Sequence, residues 1–144
     1  MLTSKPVCYG ARDDNPAIVK TKRKGFIKSI KLQHVSGQLE CSIGNSFTYW
    51  GCEVYNPDQL LTVLTNSANS ILFPPVGNYT LGVSLTYTLK GYNHLSKELI
   101  IPAQKPVMIN QNEILKIWFV EDLVKHKFGD NSGKHCVHVF AIYA

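Results

Sequence analysis

The sequence predicts an all-β fold, an antiparallel β-sandwich of jelly-roll type, formed as one domain over residues 1–144. Three observations predict it. Apolar and polar residues alternate with a period of two in several separate stretches. Turn residues punctuate the chain between those stretches, and helical periodicity is nearly absent. With 144 residues, 44% hydrophobic and 17% charged, the chain is long enough to bury one core and too apolar for disorder. No internal repeat, low-complexity tract or linker divides it.

The elements follow in order. From Phe26 to Val35 the residues Phe26-Ile27-Lys28-Ser29-Ile30-Lys31-Leu32-Gln33-His34-Val35 alternate as a half-buried strand does. Ser36-Gly37 predicts a turn, and Gln38 to Cys41 a second strand. Asn56-Pro57-Asp58 is a turn ahead of Leu60-Leu61-Thr62-Val63-Leu64, a strand of high β propensity. Leu81 to Leu89 sets Val83, Leu85, Tyr87 and Leu89 against Ser84, Thr86 and Thr88. Glu98 to Pro102 and Pro106 to Ile109 predict two short, Pro-bounded strands. Glu113 to Val120 puts Ile114, Lys116, Trp118 and Val120 on one face and Leu115, Ile117 and Phe119 on the other. A loop then runs from Glu121 to His135, and Cys136 to Tyr143 is the last strand. Seven or eight strands joined by turns suit a jelly roll.

Charge and cysteine bound the setting. Fifteen Lys and Arg against ten acids give +5, with Lys20, Lys22, Arg23, Lys24, Lys28 and Lys31 clustered. Such a cluster reads either as a polyanion-binding stretch, for example for sulfated glycan, or as a solvated strand edge that discourages aggregation. No nucleic-acid motif or interleaved aromatics accompany it, so no nucleic-acid partner is expected. No run of about 18 apolar residues exists, and no membrane insertion is expected. The start carries no charged segment leading into an apolar stretch, so a secreted protein would be present here in mature form. Cys8, Cys41, Cys52 and Cys136 form no C-x-x-C pair, which argues against a zinc ribbon. Their even count and wide spacing suit two disulfides in an extracellular protein. Cys41 and Cys52 flank a hairpin-sized segment, which leaves Cys8 for Cys136; Cys8–Cys41 with Cys52–Cys136 is the alternative. The sequon Asn78-Tyr79-Thr80 also suits secretion.

The most informative segment is Glu121-Asp122-Leu123-Val124-Lys125-His126-Lys127-Phe128-Gly129-Asp130-Asn131-Ser132-Gly133. Oxygen-bearing side chains at Asp122, Asp130 and Asn131 suit a hard cation such as calcium, and Gly129 and Gly133 allow tight backbone that brings carbonyls inward. The regular spacing of an EF-hand is missing. The same residues also make an ordinary Asx-turn loop. His135-Cys136-Val137-His138 offers neither a metal site nor a Cys–His pair, because neighbours on a strand face opposite sides. Asp13-Asp14-Asn15 beside Pro16 reads as an acidic turn. No G-x-S-x-G elbow, P-loop, H-E-x-x-H or G-x-G-x-x-G occurs, so no enzymatic activity is expected.

The run Asn112 to Asp122, followed by Gly129-Asp130-Asn131-Ser132-Gly133 and a closing strand, resembles the C-terminal part of small bacterial calcium-dependent galactose-binding lectins. Tyr55-Asn56-Pro57 before Leu60 to Leu64 is similar to a turn of the same family. The N-terminal half, with Cys8-Tyr9-Gly10-Ala11-Arg12-Asp13-Asp14 and Tyr49-Trp50-Gly51-Cys52, resembles secreted cnidarian extracellular proteins. The lectin resemblance implies a galactose-binding-like sandwich with Ca2+ as cofactor, held by Asp122, Asp130 and Asn131 with a backbone carbonyl near Lys127. It implies that the same three side chains accept hydrogen bonds from the hydroxyls of a galactose- or fucose-type sugar. Trp50 and His94 are added as candidate sugar contacts, Trp50 as a stacking platform and His94 from the polar turn Tyr92-Asn93-His94; Trp118 reads as core. The expected partner is a cell-surface glycan, bound by a homo-oligomer whose association surface is a flat strand or the C-terminal Phe140-Ala141-Ile142-Tyr143. The alternatives are an extracellular structural or adhesive module with a stabilising calcium, and a polyanion binder acting through Lys20 to Lys31.

Overall fold

Among the described residues, two four-stranded antiparallel sheets face each other across a common hydrophobic core. The computed structural model describes residues 1–41, 47–52, 56–74, 86–124 and 131–144. Its elements are β1 (Val7–Gly10), β2 (Ala17–Lys20), β3 (Gly25–Glu40), β4 (Thr62–Asn66), β5 (Ile71–Phe73), β6 (Glu98–Ile109), β7 (Ile114–Phe119), α1 (Val120–Leu123) and β8 (Ser132–Tyr143). One sheet has the order β1-β8-β3-β6 and the other β2-β7-β4-β5. Successive strands switch sheets at every step except β4 to β5. That path is the double Greek key of a jelly roll.

Alternation builds the core. In β2 the side chains of Ala17 and Val19 are buried while Ile18 and Lys20 are exposed. Ile27, Ile30 and Leu32 of β3, Leu115, Ile117 and Phe119 of β7, and Val137 and Val139 of β8 meet between the sheets. Trp118 is core as well, and its indole N–H donates to Thr65 Oγ1 at 3.1 Å, so its polar atom is satisfied on burial.

Several elements differ from the sequence expectation. Ser36-Gly37 is no turn: β3 runs through it as one 16-residue strand, with an irregularity against β8 between His34 and Ser36. Gly37 has φ +76, and a Cβ there would lie 2.2 Å from the Lys134 carbonyl oxygen, so the signal was real but marked a bulge. The two Pro-bounded strands are one strand, β6, whose register against β3 shifts between Ile27 and Ser29. β6 is an edge strand, where a missing N–H is tolerated. β4 begins two residues later than expected, and β1, β2 and β5 are too short for periodicity to reveal. The expected loop of residues 121–135 is shorter, because α1 takes its start and β8 already begins at Ser132. The expected strand from Leu81 and the sequon at Asn78 fall mostly or wholly outside the described residues.

The disulfides join Cys8 to Cys136 and Cys41 to Cys52. Cys8 and Cys136 are direct partners in the β1–β8 ladder, so the bond fastens an edge strand of four residues to the interior of its sheet.

Candidate functional site

Asp122 sits on the single turn of α1, at the end of β7, and has no exposed surface. A buried carboxylate needs donors. It receives them from the β1–β2 loop: Asp14 N–H donates to Oδ1 at 3.0 Å and Asn15 N–H to Oδ2 at 2.9 Å. That loop holds Asp13 and Asp14 at φ 69 and 56, a left-handed backbone that side chains other than glycine adopt only where the surroundings impose it. Gly10 N–H closes the loop on the Asn15 carbonyl at 2.9 Å. Asp122 therefore fixes the acidic turn that lies more than a hundred residues away in sequence.

Asn131 immediately precedes β8 and is 1% exposed. Its amide nitrogen donates to the Ala11 carbonyl at 3.3 Å and to Glu121 Oε1 at 3.2 Å. Both neighbours are acceptors, which fixes the NH₂ on their side and sends Oδ1 the other way. Oδ1 is buried and finds no hydrogen-bond partner among the described residues. A buried amide oxygen left unsatisfied costs about 1–3 kcal/mol, so it is either a strained point or a ligand waiting for an electropositive group. Two residues on, Gly133 in β8 has φ +96, and a Cβ there would lie 2.4 Å from the Gln38 carbonyl oxygen of β3; the close approach of the two strands requires glycine.

Between the clamped loop and the start of β8 lies a cavity of about 190 Å³ bordered by Gly10, Ala11, Arg12, Asp13, Asn15, Ser132 and Gly133. Arg12 and Asp13 form an ion pair across 3.5 Å at its rim. The carboxylate of Asp122 and the orphaned amide oxygen of Asn131 are hard donors of the kind calcium takes, although neither residue borders the cavity itself. Among the described residues no group of three His, Cys, Asp and Glu side chains is arranged to hold a metal. Asp130 and Lys127 lie outside the described residues.

The other sequence candidates fall elsewhere. Trp50 is fully buried, with its indole N–H donated to the Ser96 carbonyl at 2.6 Å. It has no face to offer a sugar, and the expectation of a stacking platform there is corrected. His94 is tied to the same cluster: its carbonyl accepts from the N–H groups of Tyr49 and Trp50, and its Nδ1 pairs with Thr48 Oγ1 at 2.9 Å. Burial lowers its pKa. Trp50 and His94 are absent from the border of the cavity next to Ser132, as are Asp122 and Asn131, but the latter two are bonded to the 11–15 loop that walls it. The basic cluster also divides, since Lys31 pairs with Glu98 at 3.1 Å and Arg23 stacks on Tyr143 at 4.0 Å. Sequence reasoning missed Glu121, which is buried and orients Asn131, and the Ala11 carbonyl. The adjacency of Glu121 to Asp122 was the only signal.

No family model matches the chain, and no curated protein matches it in sequence. Among solved structures it is similar to AJLec from the sea anemone Anthopleura japonica, with 30% identity and a TM-score of 0.89 over 99% of this chain and 95% of that one.

Proposed function

The chain belongs to the family of the sea anemone lectin AJLec, as a secreted, disulfide-bonded jelly roll, and from that premise we propose that it binds galactose- or fucose-type sugars through calcium held beside Asn131. The observation that carries the reading is Asn131 Oδ1, a buried acceptor with no hydrogen-bond partner among the described residues. Asp122, Asp130 and Asn131, with a backbone carbonyl near Lys127, would hold the ion. When bound, calcium supplies a hard centre whose spare positions two vicinal hydroxyls can fill. The chain's own residues do the rest. Asp122 holds the 11–15 loop against α1 through two backbone N–H groups, so the cavity wall is set before any sugar arrives. Glu121 and the Ala11 carbonyl hold the Asn131 amide in the orientation that frees its oxygen.

A single shallow site binds weakly, because few contacts offset the freedom lost on association. The reading therefore includes a homo-oligomer that multiplies sites and gains avidity. Phe26 and Met108, 51% and 46% exposed and directly paired across β3 and β6, form the best apolar contact for it. The C-terminal strand is a poorer one: β8 is interior to its sheet, with Arg23 stacked over Tyr143 and Lys31 over Phe140.

Retention on immobilised galactose tests the proposal. Retention in calcium, elution by chelator and loss in Asn131→Ala are expected; retention that survives chelator would leave the adhesive-module alternative ahead.

A further inference from the structure

Val7 and Gly10 stand at the two ends of β1 and border different cavities. Gly10 belongs to the small cavity beside Asn131, and Val7 to a larger cleft of about 520 Å³. The rise of an extended strand separates the two residues by about 10 Å. The larger cleft lies where β1 and β2, the edge strands of the two sheets, come together under the N-terminal segment.

Its floor is aliphatic, with Leu2 and Val19 buried and Ile18 52% exposed. Its walls are fixed. The Thr3 hydroxyl accepts the Val139 N–H at 3.1 Å, and the Thr21 hydroxyl donates to the Asn110 carbonyl at 2.6 Å while accepting the Glu113 N–H at 2.9 Å. Lys5, Lys20 and Lys22 border the cleft and no carboxylate does. None of the three takes part in either ion pair found among the described residues. A second cavity of about 280 Å³ shares Leu2 and Lys22 with the first and adds Arg23. Four cations thus border two cavities that meet at Leu2 and Lys22.

Three or four cations with no carboxylate among the described residues bordering them, set along a rigid groove with an aliphatic floor, match an extended anion that also carries apolar faces. A sulfated oligosaccharide has both, sulfates at intervals along the chain and C–H faces on its rings, and Ser4 and Asn112 at the rim are polar partners for its hydroxyls. We propose that this groove is a second, calcium-independent glycan subsite that takes sulfated sugar units. It goes beyond the calcium-dependent reading and uses neither Asp122 nor Asn131.

The test is fluorescence anisotropy of a labelled heparin hexasaccharide with the full chain in chelator, over a range of salt. Binding that weakens linearly in log–log form with salt is expected. The triple variant Lys5→Glu, Lys20→Glu, Lys22→Glu should lose about tenfold or more in affinity, with a shallower salt slope. A control of equal charge change away from the groove, Lys28→Glu, Lys90→Glu, Lys105→Glu, should stay within about twofold of the parent. All six lysines are exposed, and should the triple variant fail to fold, Lys20→Glu alone carries the test with a loss of about threefold. Equal losses in the triple variant and its control, no binding in chelator, or retention of phosphatidylserine vesicles without the hexasaccharide would each overturn the proposal. Hexasaccharide binding in chelator by a protein that ignores neutral galactosides would sustain it while removing the calcium reading.

Discussion

His135 lies four residues beyond Asn131 and is a buried imidazole in a one-way relay. Thr62 donates its hydroxyl to the Trp50 carbonyl at 3.2 Å, and Tyr9 donates to the Tyr49 carbonyl at 3.1 Å. Tyr9 Oη then accepts from His135 Nδ1 at 2.9 Å, which leaves His135 Nε2 to accept from His34 Nδ1 at 2.8 Å. Burial first, and the neighbouring His34 second, push the His135 pKa down to about 3. The unfolded chain takes up that proton near pH 6.5 and the native protein does not. Stability is therefore complete above about pH 6.5 and falls as pH drops towards 3, by up to about 1.4 kcal/mol per unit. Urea midpoints between pH 7 and 5 should decline in the parent and flatten in His135→Gln; parallel declines would contradict the relay. Asn131→Ala removes two hydrogen bonds and should cost about 1–3 kcal/mol. It should also abolish the rise in melting temperature on adding calcium, which in the parent corresponds to about 2.7 kcal/mol at a hundredfold excess over the dissociation constant. A parent Tm indifferent to chelator would remove calcium as an integral ligand.

Among the elements, β1 depends most on a covalent tie. It has four residues, sits at an edge, and carries both Tyr9 of the relay and Gly10 of the cavity. The Cys8–Cys136 bond spans 128 residues and the Cys41–Cys52 bond only 11. In the chain-entropy model the first is worth up to about 4–5 kcal/mol and the second about 3. Cys8→Ser with Cys136→Ser should therefore lower the denaturation midpoint more than Cys41→Ser with Cys52→Ser; the reverse order would show that β1 holds without the bond. The elements also mark what the sequence could disclose. Long alternating stretches such as Ile27 to Leu32 and Leu115 to Phe119 were legible because one face of each is buried. β1 and β2 were not, since four residues complete too few periods, and their place comes from pairing with β8 and β7. Ser36-Gly37 announced a positive φ without telling a bulge from a turn. In the site, Asp122 and Asn131 were legible from their oxygen-rich setting. The Asp14 and Asn15 amides that bind Asp122 were not, because the contact joins positions separated by 108 and 107 residues. Trp50 misled because an aromatic beside glycine looks exposed, whereas here the 47–52 segment is folded under the 92–96 turn by hydrogen bonds to His94 and Ser96.

For the whole molecule, the jelly roll places the candidate calcium site at one end of β1 and the larger basic cleft at the other, while Phe26 and Met108 pair across β3 and β6 in a register that includes neither Gly10 nor Asn131. Binding and association are thus separable. Phe26→Glu with Met108→Glu should reduce a sedimenting oligomer to monomers and remove agglutination of glycan-bearing cells, while leaving monovalent galactoside affinity within about twofold. Agglutination by a strict monomer would refute the avidity argument. The central claim, that calcium and sugar share one site, has a thermodynamic signature, because coupling between two ligands is reciprocal. Calorimetric titration of the calcium-free protein with calcium, without and with saturating galactoside, reads it directly. Calcium should bind more tightly in the presence of the sugar, by the same factor that calcium tightens the sugar; a calcium affinity unchanged by galactoside would contradict the account.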